Sequence, residues 1–149
     1  MKRDECFRVL AAHLRDEIVI AVYSSAFDWL ELAPRALNYF SFGAMGIASS
    51  HGLGLALGRP QQRVIVLDGD GSLLMNLGSL VTIAAAAPRN LVHFVCQNGT
   101  YEANGGHPVT PASTMVVPPC PIEIPGLLGR PPSRMMTATG SVLELWASS

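Results

Sequence analysis

Charge is scarce in this chain. Only 14% of its 149 residues are charged, and the formal net charge is −1. That balance excludes a strongly basic nucleic-acid binder and an acidic disordered tail. Cysteine is equally sparse: Cys6, Cys96 and Cys120 are odd in number and far apart. Neither a disulfide framework nor a zinc-type CxxC pair follows, so a reducing, cytoplasmic setting is expected. No long apolar run is present either. The greasiest stretch, Leu73 to Ala87, is interrupted by Asn76, Gly78, Ser79 and Thr82, and it is shorter than the ~20 residues a bilayer demands. The charged opening MKRDECF has no apolar segment behind it, so no signal peptide is expected and neither is a membrane role.

Apolar residues, by contrast, make up 49% of the chain, enough for one domain with a substantial core. From residue 1 to about 108 the pattern alternates. Phe7, Leu10, Ala11 and Leu14 recur at helical spacing, whereas Glu17–Tyr23 is a short β-branched run that reads as a buried strand. AFDWLEL, after Ser24 and Ser25, reads as a short helix stopped by Pro34. Asn38–Phe42 reads as extended, and Gly43 to Gly58 as a helix of small residues. Arg63–Leu67 follows as a strand, Ser72 to Ala87 as a helix closed by Pro88, and Leu91–Cys96 as another strand. Strands separated by helices imply an α/β fold, a parallel sheet flanked by helices, because parallel strands need crossover connections. Residues 109–149 break this rhythm. Seven of the 11 prolines fall there with only four charged residues, so the segment reads as an atypical, Pro-rich tail, disordered or produced by a shifted coding frame near His107.

The strand ending in Leu67 runs into Asp68-Gly69-Asp70-Gly71-Ser72 and then a helix. Glycines let the backbone approach a ligand, and free N–H groups at a helix start favour an anion. An aspartate in the same turn would repel phosphate unless a divalent cation lay between them, so the turn reads as a metal–phosphate site. An EF-hand does not fit, because Leu73 stands where its loop needs glycine and Ser79 where it needs glutamate. A dinucleotide fingerprint does not fit, since Gly52, Gly54 and Gly58 lie in a helical segment; close helix–sheet packing is the expected role of those glycines. GxSxG and HExxH are absent. The next strand ends in Gln97-Asn98-Gly99-Thr100-Tyr101. Adjacent parallel strands would therefore deliver Asp70 and Asn98 to one C-terminal sheet edge, supplying the hard oxygen donors that magnesium prefers.

GDG followed, 25 residues on, by Gln97-Asn98 resembles the thiamine diphosphate signature, in which the second pair is Asn-Asn. FGAMGIASSHGLGLALG, VIVLDGDGSLLMNLGSL and QNGTYEANGGHP are similar to the β subunit of sulfopyruvate decarboxylase and the matching half of phosphonopyruvate decarboxylase. The likeness covers about residues 1–108, which it implies are a thiamine diphosphate-binding domain left incomplete at its C-terminal end. It further implies that Gly43 faces the aminopyrimidine through its carbonyl and that Met45 props the bent cofactor. Gly69, Gly71, Ser72 and Tyr101 would line the cofactor, with Gly71 and Ser72 on the diphosphate; Asp70, Asn98 and the Thr100 carbonyl would hold Mg2+. Ser72 also reads as a helix N-cap, and Tyr101 as a residue packed on the sheet. His107, in the following loop, is a candidate for substrate or cofactor closure. His51 and His93 read as structural, and Cys96 as buried and inert.

The family's activating glutamate has no counterpart here, so no catalytic side chain is expected in this chain. A pyrimidine-domain partner would supply it in a hetero-oligomer. The resemblance thus implies the diphosphate-binding subunit of a decarboxylase acting on a 2-oxo acid. An acetolactate-type carboligase subunit is the alternative among enzymes, and a non-catalytic truncated fragment is the alternative outside them.

Overall fold

A computed structural model describes residues 2–43 and 45–109, together with the backbone of 123–124, 133–134 and 136–137. Helix α1 (Arg3–His13) begins where the Lys2 N–H donates to Glu5 Oε2 at 3.1 Å, and it buries Cys6, Phe7 and Leu10. Strand β1 (Ile18–Val22) follows, then helix α2 (Tyr23–Leu32), strand β2 (Asn38–Ser41), helix α3 (Ala48–Gly58) and strand β3 (Val64–Gly69). Helices α4 (Asp70–Leu74) and α5 (Gly78–Ala86) lead to strand β4 (Leu91–Cys96). A hairpin of two short strands, β5 (Thr100–Tyr101) and β6 (His107–Pro108), follows, joined through the 3-10 turn Glu102–Asn104. Strands β7 (Glu123–Ile124) and β8 (Ser133–Arg134) pair antiparallel, and β9 (Met136–Thr137) lies parallel to Phe94–Val95 of β4.

The main sheet has the order β2-β1-β3-β4-β9, with every pairing parallel, as the alternation of strands and helices predicts. Residues with odd and even numbers alternate between its two faces. Val19, Ala21, Ile65, Leu67, Val92 and Phe94 meet α1 and α2 on one side. Ile20, Val22, Val64, Val66 and Leu91 meet α3 and α5 on the other. Burial of a large apolar side chain on either face stabilises the fold by about 1.5–3 kcal/mol. Trp29, fully buried in α2, stacks edge-on against Phe7 at 5.7 Å and donates its indole N–H to Asn38 Oδ1 at 3.0 Å, so no polar atom of the ring is stranded.

Several local expectations change. The strand expected over 17–23 ends at Val22, because Tyr23 (φ +43°) turns the chain directly into α2, and the helix expected from Ala26 therefore starts three residues earlier. The helix expected over 72–87 is two helices. Its break falls at Met75–Leu77, before Gly78, where i→i+3 bonds from Met75 to Ser72 and from Asn76 to Leu73 tighten the turn. The expected 43–58 helix starts only at Ala48: Met45 and Gly46 form a turn instead, with Gly46 at φ +85°. Of the three helix glycines, only Gly52 is pressed on the sheet: a Cβ there would lie 2.4 Å from Val66 Cγ2, whereas Gly54 and Gly58 face open space. Most of the Pro-rich tail lies outside the described residues. No helix among the described residues is long and apolar enough to cross a membrane.

Candidate functional site

Strand order places the site. From β1 the chain moves outward to β2 and then returns to lay β3 on the other flank of β1. The C-terminal ends of β1 and β3 thus border the crevice where such sheets take ligands. Tyr23, Ser24 and Ser25 lie at the first end and Gly69 to Ser72 at the second, all lining one cavity.

The pairing of Gly69 with Cys96 in the β3–β4 register sets Asp70 and Asn98 just past the ends of neighbouring strands. Asp70 Oδ1 accepts the Gly71 N–H and its Oδ2 accepts the Gly99 N–H, each at 2.9 Å. Asn98 Oδ1 accepts the Thr100 N–H at 2.8 Å, and Gly99 adopts φ +72°, a conformation glycine reaches without steric cost. The carboxylate and the second turn are therefore one bonded unit. Carbonyl and carboxylate oxygens each retain an acceptor position beyond these bonds. Among the described residues no three His, Cys, Asp or Glu side chains cluster as a metal cage. One carboxylate beside neutral oxygens is the donor set of a hard cation that completes its shell with phosphate oxygens and water, which fits magnesium.

Met45, Gly69, Asp70, Gly71, Ser72, Asn98, Thr100 and Tyr101 all line the cavity, which encloses about 50 Å³. Tyr101 packs on the turn instead of on the sheet: a Cβ on Gly71 would lie 2.6 Å from its ring. The expected N-cap role of Ser72 gives way to another. The cap is Gly69, and the Ser72 hydroxyl accepts the Gly46 N–H at 3.0 Å. Gly43 is exposed at the end of β2 and does not line the cavity. His107 does not line it either. Exposed, it pairs through its backbone with Tyr101 in the hairpin.

Two charged residues that motif reading left aside also border the cavity. Arg3 Nε lies 2.6 Å from Asp28 and its Nη1 2.9 Å from Glu102. Burial alone would pull the Arg3 guanidinium down, but hydrogen bonds to Glu102 and Asp28 outweigh it and hold the group above its usual value. Burial likewise would push Glu102 up, yet hydrogen bonds from Arg3 and Ser24 keep its carboxyl below the usual glutamate range. A wider depression of about 530 Å³ lies on the Lys2 side of this pair. Only strand topology could have pointed to Tyr23–Ser25, and nothing local in the sequence pointed to Arg3. His51 is half-buried, edge-on to Tyr39 at 5.4 Å. His93 Nε2 sits 3.1 Å from Asp68 Oδ2, both residues buried, a structural pairing.

A doubly wound sheet with a glycine–aspartate turn at its switch point, bonded to a second turn from the next strand, defines a cofactor-binding α/β domain. The sequence profile described as "Thiamine pyrophosphate enzyme, C-terminal TPP binding domain" matches residues 20–118, and the chain belongs to that family. Phosphonopyruvate decarboxylase of Streptomyces viridochromogenes is 46% identical over 100 residues, 66% of this chain and 25% of the relative. Sulfopyruvate decarboxylase subunit beta of Methanothermobacter thermautotrophicus is 44% identical over 110 residues, 70% of this chain and 57% of the relative. The chain thus spans from a quarter to somewhat over half the length of these relatives. An enzyme from Mycobacterium smegmatis assigned as thiamin diphosphate-dependent shares the fold, with a TM-score of 0.59 at 24% identity over 73% of this chain and 23% of that one.

Proposed function

We propose that this chain is the part of a thiamine diphosphate-dependent 2-oxo acid decarboxylase that holds the cofactor's magnesium diphosphate, of the sulfopyruvate or phosphonopyruvate type, and that it works with a pyrimidine-domain partner. The observation that carries the reading is the bond from Gly99 N–H to Asp70, which joins the two turns of the signature at one sheet edge. Asp70, Asn98 and the Thr100 carbonyl would hold Mg2+; the backbone at Gly71 and Ser72 would meet the diphosphate. Met45, half-buried in the cavity lining, would support the remainder of the cofactor. When bound, thiamine diphosphate supplies a carbon nucleophile and an electron sink for loss of CO₂. This chain's residues contribute position and charge compensation, and Tyr101 shields the turn from water.

Three observations support a partner. Among the described residues, Asp70 and Glu102 are the only carboxylate side chains lining the cavity, and Glu102 is engaged by Arg3. A cavity of about 50 Å³ encloses little of a cofactor that size, where ordinary ligand pockets run to ~300–1,000 Å³. Phe27 and Phe42, their rings 5.4 Å apart, are 64% and 46% exposed at the open β2 edge beside Tyr23, and exposed apolar patches of this kind mark interaction surfaces. Free, buried Cys6 and Cys96 accord with a reducing, cytoplasmic setting.

The test is co-expression with a pyrimidine-domain subunit, followed by titration of thiamine diphosphate with and without Mg2+. Magnesium-dependent binding that Asp70→Ala abolishes supports the reading, whereas a folded complex that binds no cofactor overturns it. Product analysis then separates an aldehyde, from decarboxylation, from a 2-hydroxyketone, from carboligation.

A further inference from the structure

Ser72 stands two positions after Asp70 in the cavity wall, and its side chain accepts a hydrogen bond from within the chain. Its hydroxyl accepts the N–H of Gly46, 26 positions earlier, at 3.0 Å, and both residues are buried. Gly46 is shaped for this contact. It adopts φ +85°, and a Cβ there would lie 3.0 Å from Asn76 Cβ and 3.1 Å from the Ser72 carbonyl oxygen. The turn that carries Met45 therefore lies flush on the α4–α5 junction. A second polar link runs in parallel: Ser49 Oγ is 2.7 Å from Ser79 Oγ, which bonds the Asn76 carbonyl at 2.8 Å. Two hydroxyl latches thus tie the start of α3 to the helices that follow Asp70.

We propose that Ser72 is a positioning residue: through Gly46 it holds the Met45 turn in register with the Asp70 turn, so that the diphosphate end and the apolar support of the cofactor are presented at a set separation. The inference rests on the cofactor reading above. Its reason is physical. A buried N–H without a partner is costly, so the Met45 turn stays seated only while Ser72 accepts from Gly46. A ligand confined to the diphosphate end would not sense that latch. A ligand that also rests on Met45 would.

The experiment compares wild type with Ser72→Ala in the full chain complexed with its pyrimidine-domain subunit, titrating magnesium pyrophosphate and magnesium thiamine diphosphate by calorimetry. Loss of one neutral hydrogen bond predicts about tenfold weaker thiamine diphosphate binding, with pyrophosphate affinity within about twofold of wild type. Amide hydrogen exchange without any ligand gives an independent readout. Exchange at Gly46 should accelerate by about tenfold or more in Ser72→Ala, while the amides of β3 and β4 stay protected. Equal weakening of both ligands would make Ser72 a direct phosphate ligand and overturn the proposal, as would unchanged exchange at Gly46. Wild type that binds no thiamine diphosphate sinks the cofactor reading and this inference together. Wild type that binds, with an unaltered Ser72→Ala, sinks the inference alone. Should Ser72→Ala fail to fold, Gly46→Ala disturbs the same junction from the loop side and must give the same split between the two ligands.

Discussion

His93 Nε2 lies 3.1 Å from Asp68 Oδ2 in the interior of the sheet, with both side chains almost wholly shielded from water. The other oxygen of Asp68 accepts the Gly69 N–H at 2.9 Å, so this pair underpins the turn that carries Asp70. Removing one partner leaves a buried polar group uncompensated. His93→Leu should destabilise the fold by about 3 kcal/mol, read from urea unfolding. Adding Asp68→Asn, which keeps an acceptor for Gly69, should recover part of that loss. A double-mutant cycle with no coupling would show that the pair is not an energetic unit.

Two glycines in one helix should respond with opposite signs. A methyl at Gly52 would collide with Val66 and approach Leu91 Cδ1 to 3.2 Å, so Gly52→Ala should cost about 1–3 kcal/mol through overpacking. Gly54 lies exposed inside α3 with nothing near its Cβ position, and Gly54→Ala should stabilise by about 0.5–1 kcal/mol by removing backbone freedom from the unfolded chain. Thermal unfolding of the two variants checks both.

Cys96 should be chemically silent at neutral pH. Burial, with a smaller push from the neighbouring Cys6, raises its thiol from an ordinary value of 9.0 to about 12. The folded state therefore favours the protonated form. Its contribution is fully present below pH 9 and is lost as pH rises toward about 12, because over that interval the unfolded thiol ionises first. Alkylation followed by mass spectrometry should leave Cys96 unmodified in the folded protein, and denaturation should expose it. Rapid labelling of Cys96 under native conditions would contradict the burial.

Arg3 fastens the turn after Tyr101 to α1 and α2 through Glu102 and Asp28. Glu102 is held below its usual range, so its contribution is present at neutral pH and lost as pH falls through that lowered value. Hydrogen exchange across residues 99–106 should rise in Arg3→Ala at neutral pH. The same rise should follow in wild type on acidification below the ordinary carboxylate range, while β1 and β3 remain protected.

The amino-acid sequence by itself determined the order of elements, the parallel sheet and the chemistry of the two turns. β-branched runs such as Leu91–Cys96 and the Asp68–Ser72 turn are local patterns, and parallel crossovers oblige successive strands to end at the same edge, which brings Asp70 toward Asn98. Tertiary structure decided the rest, for reasons no local window contains. Tyr23 enters a left-handed conformation because the strand must turn at once into α2. The expected single helix breaks at Asn76 because the Met45 turn seats there. Ser72 spends its hydroxyl on Gly46 and not on a cap, and Arg3 finds Glu102 across 99 positions of chain. Contacts of that kind depend on which faces pack together, and packing is settled only when the whole sheet has closed its two cores.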